Sequence, residues 1–428
     1  MKDDIRTSVS PKPKFTDGQK TDTEVELIQP PEEVIKSFAG IKDEPDITSQ
    51  EEGFVVIPEK SKRKGRGPGN PFKKLGSWLS GLSKKKKILF SVLLLLVLGG
   101  SGAGAYAMFL QKDPVPTPTP PAVVEKKVEE PPKPKTEASR LTGVQIDPEV
   151  NKRPVTSIQI ENSPDARPQS SLHQAGVVFE AIAEGGITRF NASFLEAQPD
   201  YIGPIRSVRP YYAQLVAPFD PVFVHAGGSA DGLAKLRDLG LKDLDHGANG
   251  GAFQRVSDRF APHNLYSSTS ALDTVISARG YGTSDVKSFL RKAEKPSATP
   301  TARTVDMNIS SPLYNTHYDY DATTNSYKRS MAGAPHNDHR SGVQISPKVV
   351  VALVMGFSQN GIYSVYQTTG SGTAFIFQDG DVTQATWTKA SDKGQITFTD
   401  ATGKPLGLNP GQTWLTLVKA PNAVTFAP

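Results

Sequence analysis

The sequence predicts an α+β protein: a two-lobed ectodomain with a mixed α/β first lobe and a β-rich second lobe, preceded by a single transmembrane helix and a disordered N-terminal tail. Three observations lead there. Four lysines, Lys84–Lys87, run directly into Ile88–Met108, which carries no charge. Residues 1–83 are rich in Pro, Lys, Glu, Asp and Ser and poor in aromatics. Beyond about residue 141 strand and helix patterns alternate, and from Val305 short strands separated by turn clusters take over.

The expected boundaries are a tail over 1–83, a signal anchor over 84–110, a Pro-rich linker over 111–140, a first folded segment over 141–296 and a β-rich second segment over 297–428. The tail cannot bury enough apolar area to offset its ordering entropy. At roughly 1.5 Å per residue the uncharged run makes a helix of about 32 Å, enough for a bilayer core of about 30 Å. Lysines on its N-terminal side put the N-terminus in the cytoplasm and the C-terminal ectodomain outside the cell membrane, as a single-pass protein. A cleaved signal peptide is the competing reading, with AGAYA as a cleavage site, but such peptides start near residue 1 and have shorter apolar cores.

Charge is unevenly spread. Residues 1–59 hold 14 acidic and 7 basic side chains, and Lys60–Lys87 holds 11 basic and no acidic ones. The rest is close to neutral, so the basic balance belongs to the juxtamembrane stretch. Beside an anchor, that stretch is expected to contact anionic membrane lipid; a nucleic-acid arm is the weaker reading. From Pro114 to Lys135 the chain reads as an extended spacer. Cysteine is absent, which excludes disulfides, thiolate metal sites and a cysteine nucleophile.

In AGVVFEAIAEGGITRFNASFLEA, Gly185-Gly186 suits a two-residue hairpin turn. Simple pairing across it puts Val177, Phe179, Ala181 and Ala183 on one apolar face with Phe190, Ala192 and Phe194. Glu180, Glu184, Arg189 and Asn191 then share the opposite face, as a ligand or catalytic patch or as a solvated face with a weak ion pair. In GPIRSVRPYYAQLV, Pro210 suits the first turn of a helix and Ser207 is placed to cap it. Arg206 and Arg209 would flank a helix N-terminus that favours anions.

PVFVHAGGSADGLAKLRDLG reads strand, turn, helix. His225 ends the strand, and Gly227, Gly228 and Ser229 form a turn whose amides suit an anion or polar ligand. The turn is neither a nucleophile elbow nor a P-loop. Further on, His263 and Asn264 lie in the loop of FAPHNLYSS. The expectation is that Glu180, Arg189, Arg206, His225 and His263 converge on one cleft near Gly227–Ser229.

NSPDARPQSSLHQAGVVFEAIAEGGITRF, GPIRSVRPYY, VHAGGS and APHNLYSS together resemble the YerB-like family of bacterial envelope proteins, from about residue 145 to 428. The resemblance implies an N-terminal domain over 141–296 and a distinct C-terminal β-rich domain over 297–428, in the cell envelope. It implies no reaction. Asn162, Arg167, Pro168, Glu180, Glu184, Gly185, Gly186, Thr188, Arg189, Gly203, Pro204, Arg206, Ser207, Arg209, His225, Gly227, Ser229, Pro262, His263 and Asn264 fall on the family's motif positions. Many members are lipoproteins held through a cysteine; this chain has none and is expected to use its apolar helix instead.

In the second segment, GAPHNDHRSG gathers His336, Asp338 and His339. These are proper ligand types for zinc or manganese, but three residues of one loop need a further ligand from elsewhere. No metal or other cofactor is expected; contact of His336 and Asp338 with His263 is the favoured reading. Two function classes remain. One is a binding module that holds an anionic or glycan-type envelope ligand, or a partner protein, through Arg189, Arg206 and Arg209, with Gly227, Gly228, Ser229 and Asn264 around them. The other is an envelope hydrolase or transferase in which Glu180, Glu184, His225 and His263 do acid–base work.

Overall fold

The computed structural model describes residues 135–428. The expected tail, anchor and most of the Pro-rich linker lie outside the described residues. Among the described residues no helix is long and apolar enough to cross a membrane.

Two sheets carry the architecture. In chain order the first segment supplies β1 (Thr156–Glu161), β2 (Val177–Glu184), β3 (Ile187–Phe194), β4 (Val222–His225) and β5 (Lys242–Asp245). Its helices are α1 (Pro210–Val216), α2 (Ala230–Asp238) and α3 (Thr269–Ala278). Next come β6 (Thr304–Met307), β7 (Thr316–Asp321), β8 (Ser326–Met331), β9 (Val349–Val354), β10 (Gly370–Gln378), β11 (Asp381–Lys389), β12 (Thr397–Thr399), β13 (Thr413–Val418) and β14 (Val424–Ala427).

The large sheet runs β12-β11-β10-β9-β13-β2-β3-β1-β4-β5, with the hairpin Phe357–Asn360 and Tyr363–Tyr366 attached at Glu184. Residues Ala334–Pro335, β8, β7, β6 and β14 make a separate five-stranded sheet. The strand-rich, mixed character read from the sequence therefore holds. The large sheet also bridges the expected boundary at 296/297, because β13 lies parallel to β2, Trp414 beside Val178 and Thr416 beside Glu180.

Three apolar clusters explain the layering. Val177, Phe179 and Ala181 pack with Tyr211, Tyr212, Leu236 and Leu415 on one face of the large sheet. Ile158, Ile160, Val178, Phe190 and Trp414 pack with Leu272 and Ile276 on the other. Ile182, Val350 and Phe377 join it to Val305 and Tyr318 of the smaller sheet. Pro210 opens α1 as the sequence suggests, but Arg209, not Ser207, occupies the cap position.

The hairpin departs from the simple register in an instructive way. Its turn forms as expected, with Glu184 opposite Ile187 and positive φ at Gly185 and Gly186, where a side chain is disfavoured. A β-bulge between Ile182 and Glu184 then slips the pairing by one residue. Ala181 pairs with Arg189, Glu180 with Phe190 and Phe179 with Asn191. Because side chains alternate, one extra residue sends every later side chain to the opposite face. The expected common face for Glu180 and Arg189 is therefore corrected: Glu180 lies with Phe190 on one side of the sheet, and Arg189 lies on the other.

Candidate functional site

Strands β1, β4 and β5 are parallel neighbours. Their carboxyl ends bring Glu161, His225 and Asp245 to one edge, where ligands of open α/β sheets commonly bind. The segment after β3 wedges into that edge. Arg206 donates its N–H to the Gln159 carbonyl at 2.9 Å and accepts from the Ala226 N–H at 3.1 Å, so its backbone is fixed between β1 and the end of β4.

Three charged groups meet there. The His263 Nδ1 lies 3.0 Å from the Glu161 Oε1, and the Arg206 Nε lies 3.5 Å from the same oxygen. The Ser163 hydroxyl donates to that oxygen at 3.0 Å. Burial raises the Glu161 carboxyl, but the His263 hydrogen bond and the Arg206 charge overcome this and hold it below its ordinary value. The Glu161 hydrogen bond in turn raises the His263 imidazole, against its partial burial. An ionised carboxylate only accepts, so His263 carries its proton on Nδ1 and turns Nε2 outward. The exposed Asp165 carboxylate lies 4.0 Å from Nε2.

Depth decides what this cluster can do. The Glu161 side chain is 4% exposed, whereas His263 keeps 23% and Arg206 26%. One buried carboxylate thus holds two cations that both present an edge to solvent. Such an edge suits an anion. The Ser163 Oγ is 3.2 Å from the His263 Nδ1, the same nitrogen that Glu161 engages. A serine nucleophile would need the opposite ring nitrogen, so this is not a Ser-His-acid triad. The supporting shell is polar and satisfied: the Asn162 Oδ1 accepts from the Arg167 Nε at 3.0 Å and from the Gln169 Nε2 at 2.9 Å, and its Nδ2 donates to Thr188 at 2.6 Å.

The other sequence candidates have different surroundings. Glu180 is fully buried in an ion pair with Arg329, whose Nη2 reaches its two oxygens at 3.1 and 2.9 Å, and it also accepts from the Trp414 Nε1 at 3.0 Å. Glu184 bridges Arg189 and Arg209, both only 4% exposed. His225 is fully buried, with Nδ1 2.7 Å from the Gly227 carbonyl and Nε2 2.8 Å from Asp243. The expected single cleft is therefore corrected: Arg206 and His263 come together, Glu180 lies across the sheet, and His225 pairs with the β5 carboxylates.

The Gly227–Ser229 turn is likewise occupied. The Gly227 N–H donates to Asp245 at 2.7 Å, its carbonyl accepts from Val208, and Ser229 caps α2 by accepting from Gly232. At Gly228 a Cβ would stand 2.5 Å from Val208, so the backbone needs glycine for a close approach. Asn264 braces its own loop, donating to the Val256 and Arg259 carbonyls.

His336 and Asp338 do reach the first segment, but not at His263. The His336 Nε2 meets Gln169 at 2.8 Å, while Asp338 pairs with His173 and accepts from the Ser171 N–H. The His339 N–H donates to the Gln169 carbonyl. No cluster of metal-ligating side chains occurs among the described residues. A surface recess of about 470 Å³ beside α3 is lined by Ala248–Ala252, Ala271, Thr274 and Val275. It has no titratable lining.

Sequence reasoning missed Glu161, the residue that organises the edge. Its only signal was its place at the end of the alternating run TSIQIE, just before NSPDAR.

Comparison with known proteins agrees with this frame. Residues 141–282 match the N-terminal domain, and residues 305–415 the C-terminal domain, of the family described as protein of unknown function DUF3048. The chain belongs to this YerB-like family. It is 31% identical over 295 residues to the Bacillus subtilis (strain 168) protein named "Putative lipoprotein YerB", covering 67% of this chain and 88% of that one. The crystal structure of the YerB protein from Bacillus subtilis matches with a TM-score of 0.62 at 27% identity, covering 69% of this chain and all of that one. The motif residues Arg206, His263, Glu180 and Glu184 all lie within the matched N-terminal domain, and their surroundings differ as described above.

Proposed function

We propose that this protein is a membrane-anchored, extracytoplasmic binding module that recognises an anionic envelope ligand at the Arg206–His263 edge. One observation carries the reading: two partly exposed cations share a single buried carboxylate, Glu161. With His263 protonated, Arg206 and His263 outweigh the Glu161 charge, an excess that the exposed Asp165 carboxylate 4.0 Å from Nε2 offsets in part through water; the Glu161 hydrogen bond raises the imidazole toward that protonated form. The sequence supports the anchor through Lys84–Lys87 and Ile88–Met108, and the named lipoprotein relative supports an envelope setting.

The alternative, an envelope hydrolase or transferase, rests on the Glu161–His263 pair with its outward Nε2, a geometry suited to general base chemistry. It no longer draws on Glu180 or His225, whose side chains are fully buried. Binding is the stronger reading because the remaining acids and arginines satisfy one another.

The test is titration of the full chain with inorganic phosphate, followed by phosphorus NMR line broadening in a phosphate-free detergent. Broadening by the wild type and its loss in Arg206→Ala, at unchanged melting temperature, is expected. Equal broadening by both would overturn the reading.

A further inference from the structure

We propose that the ligand of this edge is a zwitterion, an anionic group joined through a short bridge to a primary ammonium, and that Asp165 receives the ammonium. The inference rests on the anion-binding reading above and adds the ligand's second charge.

The cationic half of the edge is open. His263 commits Nδ1 to Glu161, so the protonated imidazole turns Nε2 outward as a donor. Among the described residues no hydrogen bond uses Nε2, since the Asp165 carboxylate stands 4.0 Å away, beyond hydrogen-bond reach. Arg206 is open as well. Among the described residues its guanidinium has one partner, Glu161, through a 3.5 Å contact of Nε that is an ion pair but not a hydrogen bond. The fork of Nη groups is left for a ligand's anion.

Asp165 is the counterpart of opposite sign. Its side chain is 82% exposed and accepts no hydrogen bond from the described residues. The backbone beneath it is fixed. In the turn Pro164–Ala166 the Ala166 N–H donates to the Ser163 carbonyl at 3.0 Å and the Arg167 N–H to the Pro164 carbonyl at 3.1 Å. Arg259, from the loop that carries His263, donates to the Ala166 and Pro168 carbonyls at 2.6 and 2.7 Å. One arginine thus clamps the Asp165 turn to the His263 loop, which keeps the carboxylate beside the imidazole. The imidazole responds to both neighbours: raised chiefly by Glu161, it is raised further by Asp165 and lowered by the Arg206 charge.

This alternation of charge selects the occupant. A simple anion on Arg206 and Nε2 lies next to Asp165 and is repelled by it. A simple cation or metal ion on Asp165 faces two cations instead. A zwitterion avoids both conflicts, because imidazolium, ligand anion, ligand ammonium and Asp165 carboxylate then alternate in sign and each adjoining pair attracts. Inorganic phosphate satisfies the cationic half alone. The same chemistry occurs in a free phosphate monoester of an amino alcohol and in the phosphodiester of an amino-alcohol lipid headgroup.

The test compares phosphoethanolamine, ethyl phosphate, phosphocholine and glycerophosphoethanolamine on the full chain in an alkyl maltoside detergent, which brings neither phosphate nor amine. Ligand-observed saturation-transfer NMR gives the affinities. Ethyl phosphate lacks the ammonium, so wild type should prefer phosphoethanolamine by about fivefold, the effect of one partly solvated ion pair. Phosphocholine, charged but without an N–H, should stay within about twofold of ethyl phosphate. Asp165→Asn should erase the preference and bind ethyl phosphate more tightly than wild type, having lost the repulsion. Glycerophosphoethanolamine separates the sources: binding within about threefold of phosphoethanolamine assigns the headgroup diester, and weaker binding assigns the monoester. Equal binding of phosphoethanolamine and ethyl phosphate by wild type, which needs no variant, would overturn the zwitterion alone. A preference kept in Asp165→Asn, or phosphocholine bound as tightly as phosphoethanolamine, would do the same. Absence of binding of all four by wild type, or ethyl phosphate binding that persists in Arg206→Ala, would overturn the anion site beneath it.

Discussion

Glu180 is the best place to separate a structural role from a chemical one, and Glu180→Gln is the perturbation that does so. The residue is fully buried, and the amide keeps its shape while removing its charge. Arg329 would then sit unpaired, with no exposure of its own. Breaking a buried pair from one side typically costs about 3–5 kcal/mol, because the remaining charge keeps its desolvation penalty. For a fold of this size that corresponds to a fall in melting temperature of roughly 10 °C. The double variant Glu180→Leu/Arg329→Met should recover part of the loss. Recovery stays incomplete, since the Trp414 Nε1 and the Tyr318 hydroxyl, 3.0 Å from Glu180 and 3.2 Å from Arg329, lose their partners at about 1–3 kcal/mol each. Differential scanning fluorimetry of the wild type, Glu180→Leu, Arg329→Met and the double variant closes the cycle, with Glu180→Gln measured beside them. A single variant within about 1 kcal/mol of wild type, or strictly additive losses, would refute the reasoning and return Glu180 to the list of functional residues.

Arg206→Ala is expected to change the melting temperature by less than about 2 °C, since its ion pair is partly solvated; thermal unfolding beside the phosphate titration checks it. Acid should weaken the fold through His336, whose imidazole burial holds well below its ordinary value, with the Arg329 and Arg167 charges adding and Asp338 opposing. The unfolded chain takes that proton near pH 6.5 while the native state refuses it, so stability falls as pH drops below about 6.5. His263 contributes with the opposite sign: its raised value adds stability below about pH 6.5 that is lost as pH rises through the folded value. Urea unfolding between pH 4.5 and 7 should therefore show a shallower acid slope for His336→Gln than for wild type. Asp379→Ala should cost about 2–4 kcal/mol, because the carboxylate gathers Lys292, the Lys295 N–H, Asn325 and Asn409; chemical denaturation measures it. Residues 135–428 expressed alone should fold, which a dispersed amide NMR spectrum would demonstrate.

Periodicity carried much of the fold. Runs such as KVVVALVM and TWLTLV are β-branched and apolar, and they form β9 and β13 in the middle of the large sheet. The helix after Pro210 was legible from a proline at its first turn, and the one after Ser229 from the strand, turn and helix pattern of PVFVHAGGSADGLAKLRDLG. DVTQATWTK escaped notice because its inward positions are Ala385, Trp387 and Lys389 while threonines face out. Its apolar content is too thin for the alternation to stand clear. Lys389 lies inside because three backbone carbonyls, of Ser391, Asp392 and Gly394, receive its ammonium. No local pattern announces that arrangement. The hairpin failed for another reason: a bulge is one extra residue, invisible to a period of two. Its placement at Ala183 depends on how Glu184 meets Arg189, Arg209 and Tyr363 across the chain.

The same chemistry, an arginine or histidine on a glutamate, recurs at three depths, and depth separates the roles. At Glu180 one carboxylate meets one guanidinium with no exposure on either side, which leaves no charge for a ligand to answer. At Glu184 two arginines share one carboxylate, so net charge remains, but both guanidiniums are sunk and the excess can only be felt through the protein. At Glu161 the same two-to-one ratio stands at the carboxyl edge of parallel strands, with both cations reaching water. An anion arriving there loses little hydration of its partner groups before it gains their charge, whereas at Glu184 it would have to displace the pairing itself. Sequence motifs alone rank these three glutamates equally or, as happened here, overlook the one whose cations reach water. The distinction follows from which strand end each occupies, and it makes Arg206 the arginine whose removal should be felt by a ligand and not by the fold.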